Sequence, residues 1–304
     1  MTAPTSNATT TPRSVLAAIV LVATLIGANF SIIKLGLDHT TPMLFTSGRA
    51  IIGGTFLIVL ALARRETIPT DPTILKRIFV VGLSITTISS GLLVYGISRV
   101  PAGFAALISS TTPLFVVCLS FFLLGSRVTR IAAGGLMLGF IGAAVLASPS
   151  LSGTVSVVGV VSLIFSALAW SYGIVFMKWK DFSAVSPIML VGVQLIMSSC
   201  MLLPFALITE GTAETDWSWG LFGPLLYAAI PASAITFALL ALVVRKATPT
   251  QAASTAYMIP VFGVVFAWLI RDEVLRLSAL IGGVLVLIGV SIVVTASAKS
   301  PTTN

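Results

Sequence analysis

The chain reads as an all-α membrane protein of ten transmembrane helices in two inverted five-helix repeats. Three observations predict it: the composition, the spacing of the apolar stretches and an internal duplication. Apolar residues make up 57% of the 304 and charged residues only 9%, with a mean hydropathy of +1.10. A soluble globular domain carries roughly 25% charged residues, so this chain has too few polar groups to cover a surface in water.

Apolar stretches of about 20 residues cross a hydrocarbon core roughly 30 Å thick. They fall near 14–35, 43–63, 78–98, 102–124 and 131–148, then near 155–177, 187–209, 220–244, 252–270 and 277–297. Residues 1–13, rich in Thr, Ser, Pro and Ala, read as a disordered cytoplasmic tail, and 298–304 as a second one. The first stretch is too long for a signal-peptide core and lacks a cleavage site, so it reads as a retained span. The short connections leave no room for a soluble catalytic domain.

The duplication relates 14–148 to 155–297. Pro42-Met43-Leu44-Phe45-Thr46-Ser47-Gly48-Arg49 aligns with Pro187-Ile188-Met189-Leu190-Val191-Gly192-Val193-Gln194. Pro113 answers to Pro260, Val128 to Val274, Arg130 to Arg276, Gly135 to Gly282 and Gly142 to Gly289. An odd number of spans per half inserts the second copy upside down. Inverted repeats of this kind let one central site open alternately to either face, which implies a carrier.

Charge placement sets the topology. With the N-terminus inside, inner segments hold twelve basic residues and outer segments four, Lys34, Arg99, Arg271 and Arg276, as the positive-inside rule requires. The net charge of +8 is thus a topology signal, and no nucleic-acid partner is expected. Cys118 and Cys200 fall within expected spans and read as packing residues rather than a disulfide.

A proline inside a helix removes one backbone bond and frees the carbonyl four residues earlier. Pro113 and Pro260 therefore mark paired helix breaks in spans four and nine, each preceded by a hydroxyl-rich stretch, Ser109-Ser110-Thr111-Thr112 and Ser254-Thr255. Such pairs point to a midplane binding site; the plainer reading is a kink whose carbonyls take neighbouring hydroxyls. Gly135, Gly139 and Gly142, echoed by Gly282, Gly283 and Gly289, let backbones approach closely. They place spans five and ten as scaffold or at a dimer contact.

All nine carboxylates lie in loops or at span ends. No acid stands within a span to relay protons or bind lipophilic cations, so the expected carrier runs downhill or uses a coupling its side chains do not advertise. His39 reads as solvated. Arg49 is the one charge within a span. Either its long stem snorkels to the interface, or its guanidinium faces a cavity and orients an anionic group, with Gln194 as the uncharged repeat mate. Asn29, Phe30, Tyr95, Trp170, Tyr172, Phe237 and Tyr257 lie near similar depths. Singly each reads as packing or interfacial belt; together with Ser109, Thr112, Arg49 and Gln194 they suggest a mostly apolar cavity with a few polar groups. Trp179, Trp217, Trp219 and Trp268 read as interfacial.

As a set, Gly27-Ala28-Asn29-Phe30 with Lys34, Pro42 with Arg49, Trp170 with Lys178, Pro187 and Gln194, and the two proline stretches followed by Gly-rich spans resemble the drug/metabolite transporter superfamily. The resemblance is to the branch built from two EamA domains, and it covers nearly the whole chain. Ile26 stands where many relatives have tryptophan; Arg127 stands where the first copy usually has glutamate, retained as Glu273 in the second. The resemblance implies a bacterial inner-membrane carrier with both termini cytoplasmic, a cavity lined by spans other than five and ten, and efflux of amino acids, including aromatic ones. Another metabolite or a drug remains the alternative cargo, and a channel a less favoured one. No G-x-S-x-G, H-E-x-x-H or Walker loop is present, so no enzyme, cofactor or metal is expected. The partners are a small-molecule substrate and the bilayer, with the chain a monomer or homodimer.

Overall fold

The computed structural model describes residues 13–126, 128–151, 155–236, 239 and 249–298, and among these every regular element is helical. Eight helices are long and apolar enough to cross a membrane, from Ala17–Leu37 to Leu277–Ala296. Two shorter apolar helices, Trp219–Ile235 and Tyr257–Arg271, stand where spans eight and nine are expected. The chain is a multi-pass membrane protein.

The helices used below are α1 (Arg13–Leu37), α2 (Pro42–Ala63), α3 (Pro72–Val81), α4 (Gly91–Ile97), α5 (Ala102–Ser109), α6 (Thr112–Leu124), α7 (Arg130–Leu151), α8 (Val157–Trp179), α9 (Pro187–Thr209), α10 (Trp219–Ala229), α11 (Pro249–Arg271) and α12 (Leu277–Ala298). Proline at the first turn starts α2, α3 and α9 without loss, because that amide has no intrahelical partner. Ser186 caps α9 through the Met189 amide and Ser156 caps α8 through that of Gly159, each meeting one orphan donor.

Close packing is set by glycine. A Cβ at Gly142 would stand 2.6 Å from the Val286 amide nitrogen, and one at Gly289 2.5 Å from that of Gly139. Glycine is therefore required where α7 and α12 cross antiparallel, and the sequence pair of Gly-rich spans is a helix–helix seam within the chain. A second antiparallel seam joins α2 and α9: Gly54 faces Leu195 and Ile196, and Gly192 faces Leu57 and Ile58. Helices α1 and α11 run side by side through Gly27 and Gly263.

Two regions are wound as π-helix, Gly82–Ser90 between α3 and α4 and Ile230–Ile235 after α10. Hydroxyls settle the shifted register by bonding five residues back: Ser90 Oγ to the Ile85 carbonyl, Ser233 Oγ to that of Ala228 and Thr236 Oγ1 to that of Pro231. Pro231 lacks the amide that an α-turn would use there.

The expected helix breaks differ from one another. Pro113 does divide its span: α5 stops at Ser109 and α6 starts at Thr112. The hydroxyls of Ser110, Thr111 and Thr112 donate back to the carbonyls of Leu107, Ile108 and Ser109 at 2.5–2.7 Å, which holds the chain out of regular helix. Pro260 instead lies inside the continuous helix α11, because one missing amide is tolerated where the flanking turns continue.

Candidate functional site

A cavity of about 380 Å³ lies among the broken and π-wound segments, within the size range of small-molecule sites. Of the residues singled out in the sequence, Asn29, Phe30, Arg49, Ser109, Thr112, Trp170, Gln194, Pro113 and Pro260 line it. Among the described residues, helices α7 and α12 contribute none to its wall.

Three expected residues lie elsewhere. Tyr95 sits beneath the Arg99 guanidinium, 3.4 Å from its ring centre, a cation–π contact at the end of α4. Tyr172 stacks on Phe176 with ring centres 6.1 Å apart. Tyr257 donates its hydroxyl to the Val290 carbonyl at 3.3 Å and packs on α12. Phe237 lies outside the described residues, as does Arg127. The interfacial tryptophans are exposed, Trp219 at 80% and Trp268 at 59%.

The wall also holds Ser110 of the hydroxyl-rich stretch and residues that sequence reasoning passed over: Thr86, Ser89, Ser90, Ser166, Ser233 and Thr236. The run Ser84-Ile85-Thr86-Thr87-Ile88-Ser89-Ser90 was the available signal, a hydroxyl cluster in mid-span. Ser166 Oγ donates to the Ser89 carbonyl at 2.8 Å and meets Ser89 Oγ at 3.2 Å. Ser198 Oγ lies 3.0 Å from the Gly82 carbonyl. Ser90, Ser110, Ser166, Ser233 and Thr236 spend their protons on carbonyls, which leaves their lone pairs as acceptors.

The charge balance is one-sided. Arg49 is partly buried and makes no hydrogen bond or ion pair among the described residues. No Asp, Glu, Lys or His joins it in the described lining. The amide oxygens Asn29 Oδ1 and Gln194 Oε1 are buried without donors. The site therefore offers one unpaired cation and several unpaired acceptors, which suits a ligand carrying both an anionic group and N–H donors.

One end of the bundle is stitched shut between the two halves of the chain. Lys34 Nζ pairs with Glu273 at 3.3 Å and donates to the Val100 carbonyl at 2.5 Å. The other Glu273 oxygen accepts from the Gly103 amide at 3.1 Å, near the start of α5. Arg271 pairs with Asp38, and Glu210 accepts from the Met43 amide at 2.9 Å. His39 is not simply solvated: its Nδ1 lies 3.0 Å from Asp216. Hydrogen bonds from Ser218, then from His39, hold the exposed Asp216 carboxyl below the usual carboxylate range. Beneath these ties Phe30, Ile33, Phe45, Val100, Phe104 and Leu221 form an apolar plug. Among the described residues the opposite end carries Arg77 to the Asp181 carbonyl at 2.7 Å and Ser186 to Glu66.

A largely apolar cavity enclosed by membrane helices, with a lone cation and interrupted helices in its wall, defines a membrane transporter. The EamA-like transporter family profile matches residues 13–148 and again 157–295, and the chain belongs to this family, within the drug/metabolite transporter superfamily. It is 30% identical to the uncharacterized transporter YvbV of Bacillus subtilis (strain 168), over 89% of this chain and 88% of that protein. It is 28% identical to a probable amino-acid metabolite efflux pump of Escherichia coli (strain K12), over 90% and 92%. A chain in a solved crystal structure superposes with a TM-score of 0.63 at 19% identity, covering 94% of this chain and 98% of that one, which establishes likeness of fold.

Proposed function

We propose that this transporter exports amino acids, aromatic or large apolar ones, across a bacterial inner membrane with both of its termini cytoplasmic. The two halves act as inverted five-helix repeats that rock around the 380 Å³ cavity. The observation that carries the reading is Arg49, a guanidinium unpaired among the described residues in a largely apolar wall, with unpaired amide oxygens in the same lining. A buried cation without a partner is costly; a substrate carboxylate offsets that cost on binding. The efflux-pump relatives support the cargo class.

Repeat-mate contacts support the inverted arrangement. A Cβ at Gly82 would stand 3.0 Å from Ser198 Oγ, and one at Gly53 3.0 Å from the Ala229 carbonyl; pairing 53 with 198 and 82 with 229 keeps the offset of the aligned octads and of Pro113/Pro260. The α2/α9 and α7/α12 seams likewise pair a helix with its own mate, antiparallel. On this topology the stitched end is the outer face, so the protein is held closed toward the outside.

Purified protein in liposomes, loaded with each amino acid in turn, tests the proposal by saturable counterflow. Arg49→Leu should insert normally and lower transport tenfold or more, since a charge-assisted hydrogen bond contributes about 1.5–3 kcal/mol. Wild-type rates in that variant, or no transport of any amino acid by the unaltered protein, refute it.

A further inference from the structure

A second cavity of about 310 Å³ adjoins the first, and the repeat explains its presence. In the aligned octads Leu190 answers to Phe45. Phe45 is buried, and its ring fills the space over Gly36 so tightly that a Cβ there would stand within 2.3 Å of it. At the other end of the bundle the mate is the smaller leucine. Beside Leu190 the space stays open, walled by Trp170, Ile174, Met177, Phe182 and Val191.

Gln194 stands where the two cavities meet, lining both together with Ile85 and Trp170. It is 2% exposed. Its Nε2 reaches Thr86 Oγ1 at 3.4 Å, while Oε1 has no donor. A buried acceptor left without a donor is unfavourable, a deficit that a ligand N–H removes. The level of Gln194 relative to Arg49 follows from the α2/α9 seam. A Cβ at Gly54 would stand 3.0 Å from the Leu195 Cβ, so in this antiparallel seam Gln194 lies about six residues further along the bundle than Arg49, about 9 Å at 1.5 Å per residue. Both side chains line the first cavity.

We propose that the second cavity is the side-chain subsite of the transport site, with Gln194 as the ammonium acceptor at its mouth. The substrate lies with its carboxylate toward Arg49, its ammonium on Gln194 Oε1 and its apolar side chain between Trp170, Met177 and Leu190. This rests on the amino-acid reading above and adds the orientation of the cargo and the origin of its size preference, the Phe45/Leu190 difference between the repeats.

The test is counterflow into liposomes holding the full chain, with phenylalanine, tryptophan, alanine and 3-phenylpropionate as probes; the last keeps ring and carboxylate but lacks the ammonium. Half-saturation concentrations are read as ratios. Leu190→Phe should cut the preference for phenylalanine over alanine about tenfold. Gln194→Leu should cut the preference for phenylalanine over 3-phenylpropionate by about tenfold, the effect of losing a charge-assisted bond. Leu190→Ala, which relieves rather than adds bulk, should move preference from phenylalanine toward tryptophan and covers the case in which the larger side chain prevents insertion. Unchanged ratios in the inserted variants, with wild-type transport of phenylalanine intact, overturn this inference alone. Wild-type transport of no amino acid overturns the proposed function with it.

Discussion

Replacing Glu273 with glutamine should loosen the proposed outer closure. The carboxylate meets Lys34 Nζ at 3.3 Å and the Gly103 amide at 3.1 Å, and the two charged side chains are only 19% and 13% exposed. At an effective dielectric constant of about 20 the gross attraction at that distance is about 5 kcal/mol. Desolvation offsets much of it, and Lys34 keeps its bond to the Val100 carbonyl. Glutamine also retains an oxygen for the Gly103 amide. The net loss to the closed state is therefore about 1–2 kcal/mol, and each 1.4 kcal/mol changes the ratio of closed to open by tenfold. A cysteine at Ser109, in the cavity wall, reads this out in a background where Cys118 and Cys200 are alanine. Its labelling by an impermeant maleimide from outside should rise on the order of tenfold in E273Q and similarly in K34M, with the double variant adding little. Unchanged outside labelling in both inserted variants refutes the closure role.

Three further outcomes are expected. Gly289→Ala places a Cβ 2.5 Å from the Gly139 backbone nitrogen, so α7 and α12 must part; thermal unfolding in detergent should show a loss of about 1–3 kcal/mol, and an unchanged midpoint counts against the seam. Ser198→Ala removes the hydroxyl that ties α9 to the Gly82 carbonyl at 3.0 Å and should lower stability by about 1 kcal/mol in the same assay, with no effect if the π-wound segment holds itself. Asp216 is held below the usual carboxylate range, so its tie to the loop of His39 is present above about pH 4 and is lost as pH falls through the depressed value. Hydrogen-exchange protection of the 210–218 loop, corrected for intrinsic rate, should persist at pH 5 and fail only in stronger acid; loss already at pH 5 contradicts it.

Depth was readable from the chain and direction was not. Counting from span ends placed Asn29, Phe30, Arg49, Ser109, Trp170 and Gln194 at the level where the cavity lies. The same counting set Tyr172 and Tyr257 at comparable levels, yet their rings turn to Phe176 and to α12. Lipid and neighbouring helices are equally apolar, so no hydropathy contrast marks which side of a span faces the interior. The hydroxyls of Thr86 and Ser89 escaped for a related reason: they lie in the π-wound Gly82–Ser90 segment, where α-helical periodicity misassigns the facing of each residue. Pro113 and Pro260 looked equivalent because the lost bond is local, whereas the outcome depends on which hydroxyls can answer the freed carbonyls.

Alone, the amino-acid sequence determined that the chain is helical, that it lives in a membrane, and where its halves repeat. Those properties follow from composition and period, which each segment carries by itself. Only the tertiary structure decided that Arg49 stands without a counter-ion among the described residues, that Gln194 joins two cavities, and that Lys34 and Glu273 meet across 239 positions of chain. Such pairings exist only once packed helices bring distant side chains to one place, where the low dielectric makes a missing partner costly and a present one strong.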